Sequence, residues 1–391
     1  MIPKNWNKEA HNLWEKNEKQ AAINILLAQI NQFGTQKPRD LTLQFSYYLF
    51  LLGDYGTAAD VLRLAHSQQP DDNEILQNLV ATLSRAGFYN DALIYAQQLL
   101  KQDPNNFLNY DGLSKIYAHL ERYDEASAAG TQSLIIKDRI FGNTPTDWQL
   151  PNLNIKTELK NKKKVISFSL FGNNPSYLKG ALLNLLLAPR IYPDWEIWFW
   201  LDDTVPQEFQ DLMTELGAII KKQPINQPIL QKLSWRFLAS DDKEIGYFLV
   251  RDVDSVVNIR EAFAVNEWIK SGKYFHIMRD WWTHTDLILA GMWGGVAGLL
   301  PNMQQALSNY RPEAVETPNI DQWFLRDYIW KYAKTSIYIH DRCFQFMTPH
   351  SWPSALAPNG TNHVGMDETV QLSPYLSSLL QDWEKKYPCL Q

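Results

Sequence analysis

Cysteine is nearly absent from this chain of 391 residues, which contains only Cys343 and Cys389. Two cysteines exclude a framework of several disulfides and a zinc site built from cysteine ligands. The first residues, MIPKNWNKEAHNLW, lack the apolar core that defines a secretory signal. We therefore expect a protein of the reducing environment of the cytoplasm.

Long hydrophobic runs and an excess of positive charge are missing as well. The longest apolar candidate, ALLNLLLAP at 181–189, is about half the length that a membrane-spanning helix needs. The net charge is −6, and this balance does not favour nucleic acid as a partner. The composition therefore predicts no transmembrane segment and no nucleic-acid binding.

The first 140 residues carry an internal repeat with an interval of 34 residues. The recurring positions are Tyr55, Tyr89 and Tyr123; Ala58, Ala92 and Ala126; Gly53 and Gly87; and Pro70 and Pro104. A small residue, an aromatic residue and then alanine at this interval resemble the tetratricopeptide repeat, a pair of antiparallel helices. A weaker unit at 17–27 is offset by two residues. We expect about four helical pairs over 1–141, with the tyrosines packed beside the alanines and a surface that binds a peptide or protein partner.

A different organisation follows the repeats. The segment 142–163 is polar, contains two prolines and lacks periodicity, so we predict a linker there. From 164 to 391, apolar segments such as KVISFSLFG (164–172), WEIWFWL (195–201) and IGYFLVRDVDS (245–255) alternate with stretches of helical length. This alternation predicts a mainly parallel sheet with crossover helices. Ligands bind such sheets beyond the carboxyl ends of the strands.

Two carboxylates, Asp252 and Asp254, end the most apolar of these segments. Side chains two residues apart on a strand face the same side, and two neighbouring carboxylates favour a cation between them. Oxygen ligands suit Mg²⁺ or Mn²⁺, and such an ion keeps positions open for the oxygens of a diphosphate. The strand ending therefore predicts a metal site that holds a nucleoside diphosphate.

Four landmarks in the second half follow one another in a definite order. They are WRFLASDDKEIGYFLVRDVDS at 235–255, LILAGMWGG at 287–295, IDQWFLRDYIW at 320–330 and NHVG at 362–365. In this order they resemble nucleotide-sugar glycosyltransferases of the GT-A fold, a Rossmann-like mixed sheet, and in particular the glycogenin-like and bacterial galactosyltransferase-like branch. The resemblance covers 164–391.

This resemblance implies a role for each matching residue. Asp252, Asp254 and His363 would bind the metal, and Asp252 and Arg236 would also hold the donor diphosphate. The other donor-binding positions implied are Phe171, Gly172, Asn173, Ala290 and Gly291. Asp321 and Gln322 would lie near the anomeric carbon. Asp286 directly precedes the Ala-Gly segment, LILAGMWGG at 287–295, and is a further catalytic candidate.

The late histidine departs from the family pattern, because MDETV follows His363-Val-Gly365 where relatives often have Lys-Pro-Trp. His340, which ends a predicted strand, is therefore the alternative metal ligand. A dense stretch nearby, HIMRDWWTHTDLILAGMWGGVAG at 276–298, is rich in Trp and carboxylates. It is expected to form the sugar and acceptor pocket, or else a buried cluster with an ion pair between Arg279 and Asp280.

The expected activity is metal-dependent transfer of a sugar from a nucleotide-sugar donor, most plainly a UDP-sugar, with Mn²⁺ or Mg²⁺. The acceptor would be a glycan, a lipid-linked saccharide or a protein. The alternative is an interaction scaffold, in which the repeats recruit a partner and the second domain has lost activity.

Overall fold

The computed structural model describes residues 5–34, 36–146, 148–312, 319–352 and 363–391. The chain divides into two compact units, Met1–Ile136 and Lys137–Gln391. None of the helices in these described ranges combines the length and the apolar content needed to cross a bilayer.

The first unit is built from helices in which each packs against the next. They are α1 (Lys8–Glu15), α2 (Lys19–Gln32), α3 (Arg39–Leu51), α4 (Tyr55–Gln68), α5 (Asn73–Arg85), α6 (Tyr89–Gln102), α7 (Phe107–His119) and α8 (Tyr123–Phe141), of which α8 continues into the second unit. The expectation of tetratricopeptide-like helical pairs is confirmed, because the 34-residue period coincides with the α3–α4, α5–α6 and α7–α8 pairs.

The turn inside each helical pair explains the repeat and its offset. Gly53 and Gly87 have φ angles of 82° and 81°, and Glu121, one further period along, has a φ of 60°. Asn17, which precedes α2, has a φ of 63° and lies 36 residues before Gly53. The four positions share a left-handed backbone that favours Gly and tolerates Asn. The first unit therefore has the same turn as the other three, displaced by two residues from the 34-residue interval.

The alanine and tyrosine positions differ in their environment. Ala58, Ala92 and Ala126 are fully buried, as expected where helices approach closely. The tyrosines are less buried than the packing interpretation required, since Tyr123 is 50% exposed and Tyr89 stacks on a histidine near the surface. A residue at the start of a helix lies at the edge of the interface, and this position explains the partial exposure.

The second unit contains one seven-stranded sheet in the order β3-β2-β1-β4-β6-β5-β7. The strands are β1 (Lys163–Leu170), β2 (Glu196–Leu201), β3 (Ile219–Lys222), β4 (Ile245–Val250), β5 (Phe275–Arg279), β6 (Trp293–Val296) and β7 (Ile337–Asp341). Among the strands of the described residues, only β6 runs antiparallel to its neighbours β4 and β5. The expected mixed α/β architecture is confirmed, with β6 as the departure from a parallel sheet.

Helices of varying length connect and flank these strands. They are α9 (Ile155–Glu158), α10 (Pro175–Ile191), α11 (Gln207–Glu215), α12 (Ile229–Ser234), α13 (Ile259–Ser271), α14 (Met303–Asn309), α15 (Ile320–Phe324), α16 (Trp330–Ala333) and α17 (Pro374–Lys386). A 3₁₀ helix, Trp235–Asp241, extends α12, and a π-helical turn, Leu325–Ile329, joins α15 to α16.

The segment 142–163, predicted to be a linker, is attached to the second unit. The indole of Trp148 donates a hydrogen bond of 2.8 Å to the carbonyl of Leu299. The amide of Leu153 donates to the hydroxyl of Tyr274 at 2.9 Å. These individual hydrogen bonds attach the segment to the α/β unit, so it forms part of that unit.

Candidate functional site

The candidate site lies beyond the carboxyl ends of the neighbouring strands β1 and β4, near the centre of the sheet. From β1 the chain proceeds outward through β2 and β3, and it returns to β4 on the other side of β1. Such a change of direction leaves a crevice beyond the carboxyl ends of the two strands, where ligands of open α/β sheets bind. A pocket of about 520 Å³ lies here. Its lining residues are Ser169, Leu170, Phe171, Tyr177, Ile229, Leu233, Arg236, Asp252, Val253 and Asp254.

A buried ion pair fixes the backbone where β4 ends at the pocket. Arg251 follows the strand directly, is fully buried, and pairs with Glu261 of α13 at 2.8 Å. It also donates to the carbonyl of Trp293 on β6 at 3.2 Å. Because Arg251 fixes the chain on the sheet side, Asp252 is the first side chain after β4 that reaches the pocket, with 38% of its side chain exposed.

Arg236 connects the carboxylate pair to a more distant acidic residue. It is buried on the 3₁₀ helix, and its guanidinium donates to the Asp252 carboxylate and, at 2.9 Å, to Asp321 Oδ2. A further bond of 3.1 Å goes to the carbonyl of Arg251. Burial raises the pKa of Asp321, although the charge of Arg236 opposes this. One cation therefore orients two carboxylates that are 69 residues apart in the chain.

The Ala-Gly segment contacts the same group of side chains through Ala290 and Gly291. The side-chain oxygen of Gln322 accepts a hydrogen bond of 3.4 Å from the amide of Ala290. At Gly291 a Cβ atom would lie 1.8 Å from Asp252 Oδ2, so only glycine permits the observed position of that carboxylate. The structure thus brings together six of the predicted residues: Arg236, Asp252, Ala290, Gly291, Asp321 and Gln322.

The mouth of the pocket concentrates negative charge. Burial, together with the charges of the Asp252 and Asp367 carboxylates, raises the pKa of Asp254 to about 7. The hydroxyl of Tyr177 has a raised pKa through burial and through the same three carboxylates. Carboxylates held close together in this way favour a bound cation. Asp367 was not predicted from the sequence, because it comes from a separate C-terminal segment.

Helix α10 holds the loop that carries the two aspartates. The buried Asn184 donates to the carbonyls of Val253 and Ser255 at 3.1 Å and 3.2 Å, and it accepts from the amide of Val257 at 3.0 Å. A Cβ atom at Gly180 would lie 2.3 Å from the carbonyl oxygen of Val253. Sequence reasoning missed both residues, although a single Asn within the apolar run GALLNLLLA was a usable signal.

The predicted residues after β1 contribute unequally. Phe171 lines the pocket and meets Trp235 edge-on, with 6.0 Å between the ring centroids. Gly172 has a φ of 76°, and its amide donates to Thr204 Oγ1 at 2.6 Å. Asn173 is exposed in the loop and is not part of the pocket lining. The base and ribose contacts implied for Gly172 and Asn173 stay predictions.

Asp286, predicted to be catalytic, lies outside the pocket lining. Its carboxylate is 3.4 Å from the ammonium of Lys137, which is buried and also donates to the carbonyl of Thr285 at 2.9 Å. Its own carbonyl accepts a hydrogen bond from Arg279 at 3.1 Å. These contacts make Asp286 a structural partner of α8, and a catalytic role for it stays a prediction.

The two histidines considered as metal ligands both have other partners. The ring of His340 is fully buried between His276, at 2.8 Å, and Glu267, at 2.9 Å, so both of its nitrogens are engaged. His363 lies beside Asp280 and His284. Within the described residues, Asp252, Asp254 and His363 do not bring three ligand atoms within 4.8 Å of one another.

The ion pair between Arg279 and Asp280, considered as the alternative to a sugar pocket, does not form. Arg279 pairs with Asp341 at the end of the adjacent strand β7, at 2.7 Å, and both side chains are fully buried. Asp280 pairs with Arg260 of α13 at 3.0 Å. Neighbours on a strand point to opposite faces, so residues 279 and 280 take partners from different elements.

Comparison with known proteins adds little to this description. No family model matches the chain, and no curated protein matches it. Among solved structures, the MamA RS-1 ArsTM double mutant and MamA 41-end from Desulfovibrio magneticus RS-1 are each 17% identical to this chain. Each covers 33% of it, with 71% and 72% of their own chains matched and a TM-score of 0.31. YrrB, described as a TPR protein with an unusual peptide-binding site, is 18% identical over 32% of this chain and 64% of its own, with a TM-score of 0.30. These matches concern the helical repeats.

Proposed function

We propose that the second unit is a glycosyltransferase that uses a nucleoside diphosphate sugar and a divalent cation. The observation that carries the proposal is the meeting of Asp252, Asp254, Arg236 and Asp321 at a pocket beyond β1 and β4. The apolar wall formed by Phe171, Ile229 and Leu233 suits a nucleobase, and the opposite carboxylates suit a cation with its diphosphate.

The residues present fit such a cation. Asp252 and Asp254 would hold it, because both carboxylates line the pocket and the charge of Asp252 raises the pKa of Asp254. When bound, Mn²⁺ or Mg²⁺ supplies positive charge that neutralises the diphosphate. Arg236 keeps Asp252 in position and contributes a second positive charge beneath the pocket.

The transfer requires the chain's own residues to orient the donor and to manage one proton. The bond between the anomeric carbon and the diphosphate oxygen breaks, and the acceptor oxygen bonds to that carbon and loses its proton. The two carboxylates proposed for the proton differ in their surroundings, because Asp321 is ion-paired with Arg236 and Asp286 with Lys137. Asp321 is the better candidate base, since it adjoins the group around Asp252 and its pKa is raised by burial.

The direct test is nucleoside diphosphate release from a panel of UDP- and GDP-sugars, with Mn²⁺ and with EDTA. We expect turnover that depends on the metal and is abolished in Asp252→Asn. Asp203→Asn is the matched control, because Asp203 also follows a central strand but pairs with Lys222 at the surface. Metal-independent turnover, or full activity of Asp252→Asn, would contradict the proposal.

A second function, recognition of a partner, is favoured by the helical repeats. A pocket of about 620 Å³ lies among α3 to α7, with apolar side chains such as Val80 and Leu108 in its lining. Arg85 and Lys115 also line it. Burial and the charge of Arg85 lower the pKa of Lys115. Two cations beside an apolar floor favour a peptide that carries both an acidic and an apolar side chain.

Peptide arrays probed with the full-length protein test this second function. Acidic-apolar peptides are expected to bind, and Lys115→Glu should abolish binding. Lys101→Glu, a change at an exposed lysine of α6, should leave it intact. A thermal shift with UDP and Mn²⁺ separates the two functions: peptide binding without any nucleotide response would favour a scaffold over an enzyme.

A further inference from the structure

A second group of metal-ligand side chains lies in the α/β unit, apart from the carboxylates that line the pocket. It consists of Asp280, at the end of β5, with His284, four residues later, and His363, from the C-terminal segment. One ligand atom from each lies within 4.8 Å of the others. The pocket described above is not lined by any of the three.

The carboxylate of Asp280 is oriented by fixed donors. Arg260 binds Oδ2 at 3.0 Å, and the amide of Val364 donates to Oδ1 at 3.0 Å. Oδ1 is also the oxygen that faces the ring of His284, with 3.8 Å to Nδ1. Since the side chain of Asp280 is fully buried, these contacts leave Oδ1 as the oxygen directed at the histidines.

Each imidazole ring has one nitrogen without a proton. In His284 this nitrogen is Nδ1, which accepts a long hydrogen bond of 3.3 Å from the amide of Asp280, and a bound ion would take the place of that bond. In His363, Nδ1 donates to the carbonyl of Val364 at 2.9 Å, and this leaves the lone pair on Nε2. A hydrogen bond from the distal nitrogen to a backbone carbonyl is the usual support of a metal-binding histidine.

The ring of His363 is also fixed by aromatic neighbours. Trp281 stacks on it with 5.3 Å between the centroids and 18° between the planes, and His284 meets it edge-on at 4.9 Å. A side chain held on two sides loses little entropy on binding an ion, so the group is preorganised.

From this geometry we infer that Asp280, His284 and His363 form a second metal site, which takes a first-row divalent transition metal such as Zn²⁺. Two imidazoles and one carboxylate are the ligand set of zinc and non-haem iron centres, whereas Mg²⁺ and Ca²⁺ take oxygen ligands. Ligand atoms about 2.0–2.1 Å from a tetrahedral zinc lie roughly 3.4 Å apart. The 3.8 Å between Asp280 Oδ1 and His284 Nδ1 exceeds this separation by about 0.4 Å, and His363 has to close by at most about 1.4 Å from the 4.8 Å limit of the group.

Zinc binding to the full-length protein tests the inference. The purified protein is stripped with EDTA, titrated with ZnCl₂ against a chromogenic chelator, and assayed for retained zinc after gel filtration. We expect one tightly held equivalent and a rise in melting temperature, because an ion that binds only the folded state stabilises it. His363→Gln should weaken zinc binding by at least 100-fold, since even an outer-shell partner is worth about 10–100-fold.

Two further variants separate this site from others. His350→Gln removes an exposed imidazole elsewhere in the same unit and should keep the wild-type zinc affinity. Asp254→Asn should also keep it, because Asp254 belongs to the pocket. Equal zinc affinity of wild type and His363→Gln would overturn the inference, as would loss of zinc in Asp254→Asn with retention in His363→Gln. Cobalt-loaded wild type offers a test without mutation: a weak hexaaqua-like spectrum would refute imidazole coordination.

Discussion

Gly291→Ala is the most informative single change at the proposed glycosyltransferase site. The added methyl group would lie 1.8 Å from Asp252 Oδ2, 2.5 Å from its Cγ and 3.1 Å from its amide nitrogen. In proteins, Cβ atoms essentially never lie within 3.0 Å of heavy atoms from residues that are not their chain neighbours. The carboxylate must therefore move by more than about 1 Å, and this movement disturbs its hydrogen bond with the guanidinium of Arg236.

The structure indicates that activity will suffer more than stability. Asp252 is 38% exposed, so its side chain can rotate toward solvent without opening the core. A displacement of about 1 Å in a positioning group can cost about 100-fold in rate, which corresponds to roughly 2.7 kcal/mol of transition-state stabilisation. We expect kcat/KM for donor turnover to fall by at least that factor.

The assay compares Gly291→Ala with Gly56→Ala. Gly56 lies near the start of α4, and a Cβ atom there would meet nothing within 4 Å. Both variants should unfold cooperatively in thermal melts, and Gly56→Ala should keep the wild-type rate of UDP release. If Gly291→Ala retained wild-type turnover and nucleotide affinity, Asp252 would not be a positioned ligand and the reasoning would fail.

Three further predictions concern the supports of the site and of the repeats. Arg236→Met should destabilise the folded state by about 3–5 kcal/mol in urea melts, because it leaves the buried carboxylate of Asp321 without its cation, and adding Asp321→Asn should restore part of that loss. If the double variant is no more stable than the single one, the ion pair is not the cause. Asn184→Ala should weaken nucleotide binding in a thermal shift with UDP and Mn²⁺, since Asn184 holds the loop after β4; an unchanged shift would contradict that role. Asp72→Ala should cost about 1–2 kcal/mol at pH 7, because Asp72 caps α5 and binds Arg39. Hydrogen bonding to Arg39 lowers the pKa of Asp72, so this contribution should be present above pH 4 and disappear as the pH falls through the lowered value; a pH-independent cost would refute the ionic part.

The sequence predicted the features that depend on residues close together in the chain. The 34-residue interval gave the helical pairs, because each pair is a local unit and its turn requires the same backbone at Asn17, Gly53, Gly87 and Glu121. The apolar run before Asp252 likewise indicated a central strand with a polar end, and β4 is fully buried along its length. Periodicity and strand ends are set by neighbouring residues, and a single sequence contains that information.

The composition of the site was partly accessible in the same way. Arg236, Asp252 and Asp321 were predicted to act together, and the structure joins them by hydrogen bonds. The residues that hold the aspartate loop from behind were missed. Gly180 and Asn184 belong to α10, which follows β1 and is about 70 residues before the aspartate loop in the chain. Their contact with the loop depends on how α10 packs on the sheet.

Only the tertiary structure decided which charged side chains pair with one another. Asp286 lies with Lys137, 149 residues away, and Asp280 takes Arg260 in place of its neighbour Arg279. His363 meets Asp280 and His284 because Val364 pairs its amide with the Asp280 carboxylate. Such pairings follow from the sheet order, in which the antiparallel β6 separates β4 from β5. A local pattern cannot encode that order, since it is the closure of long loops around the core that brings these side chains together.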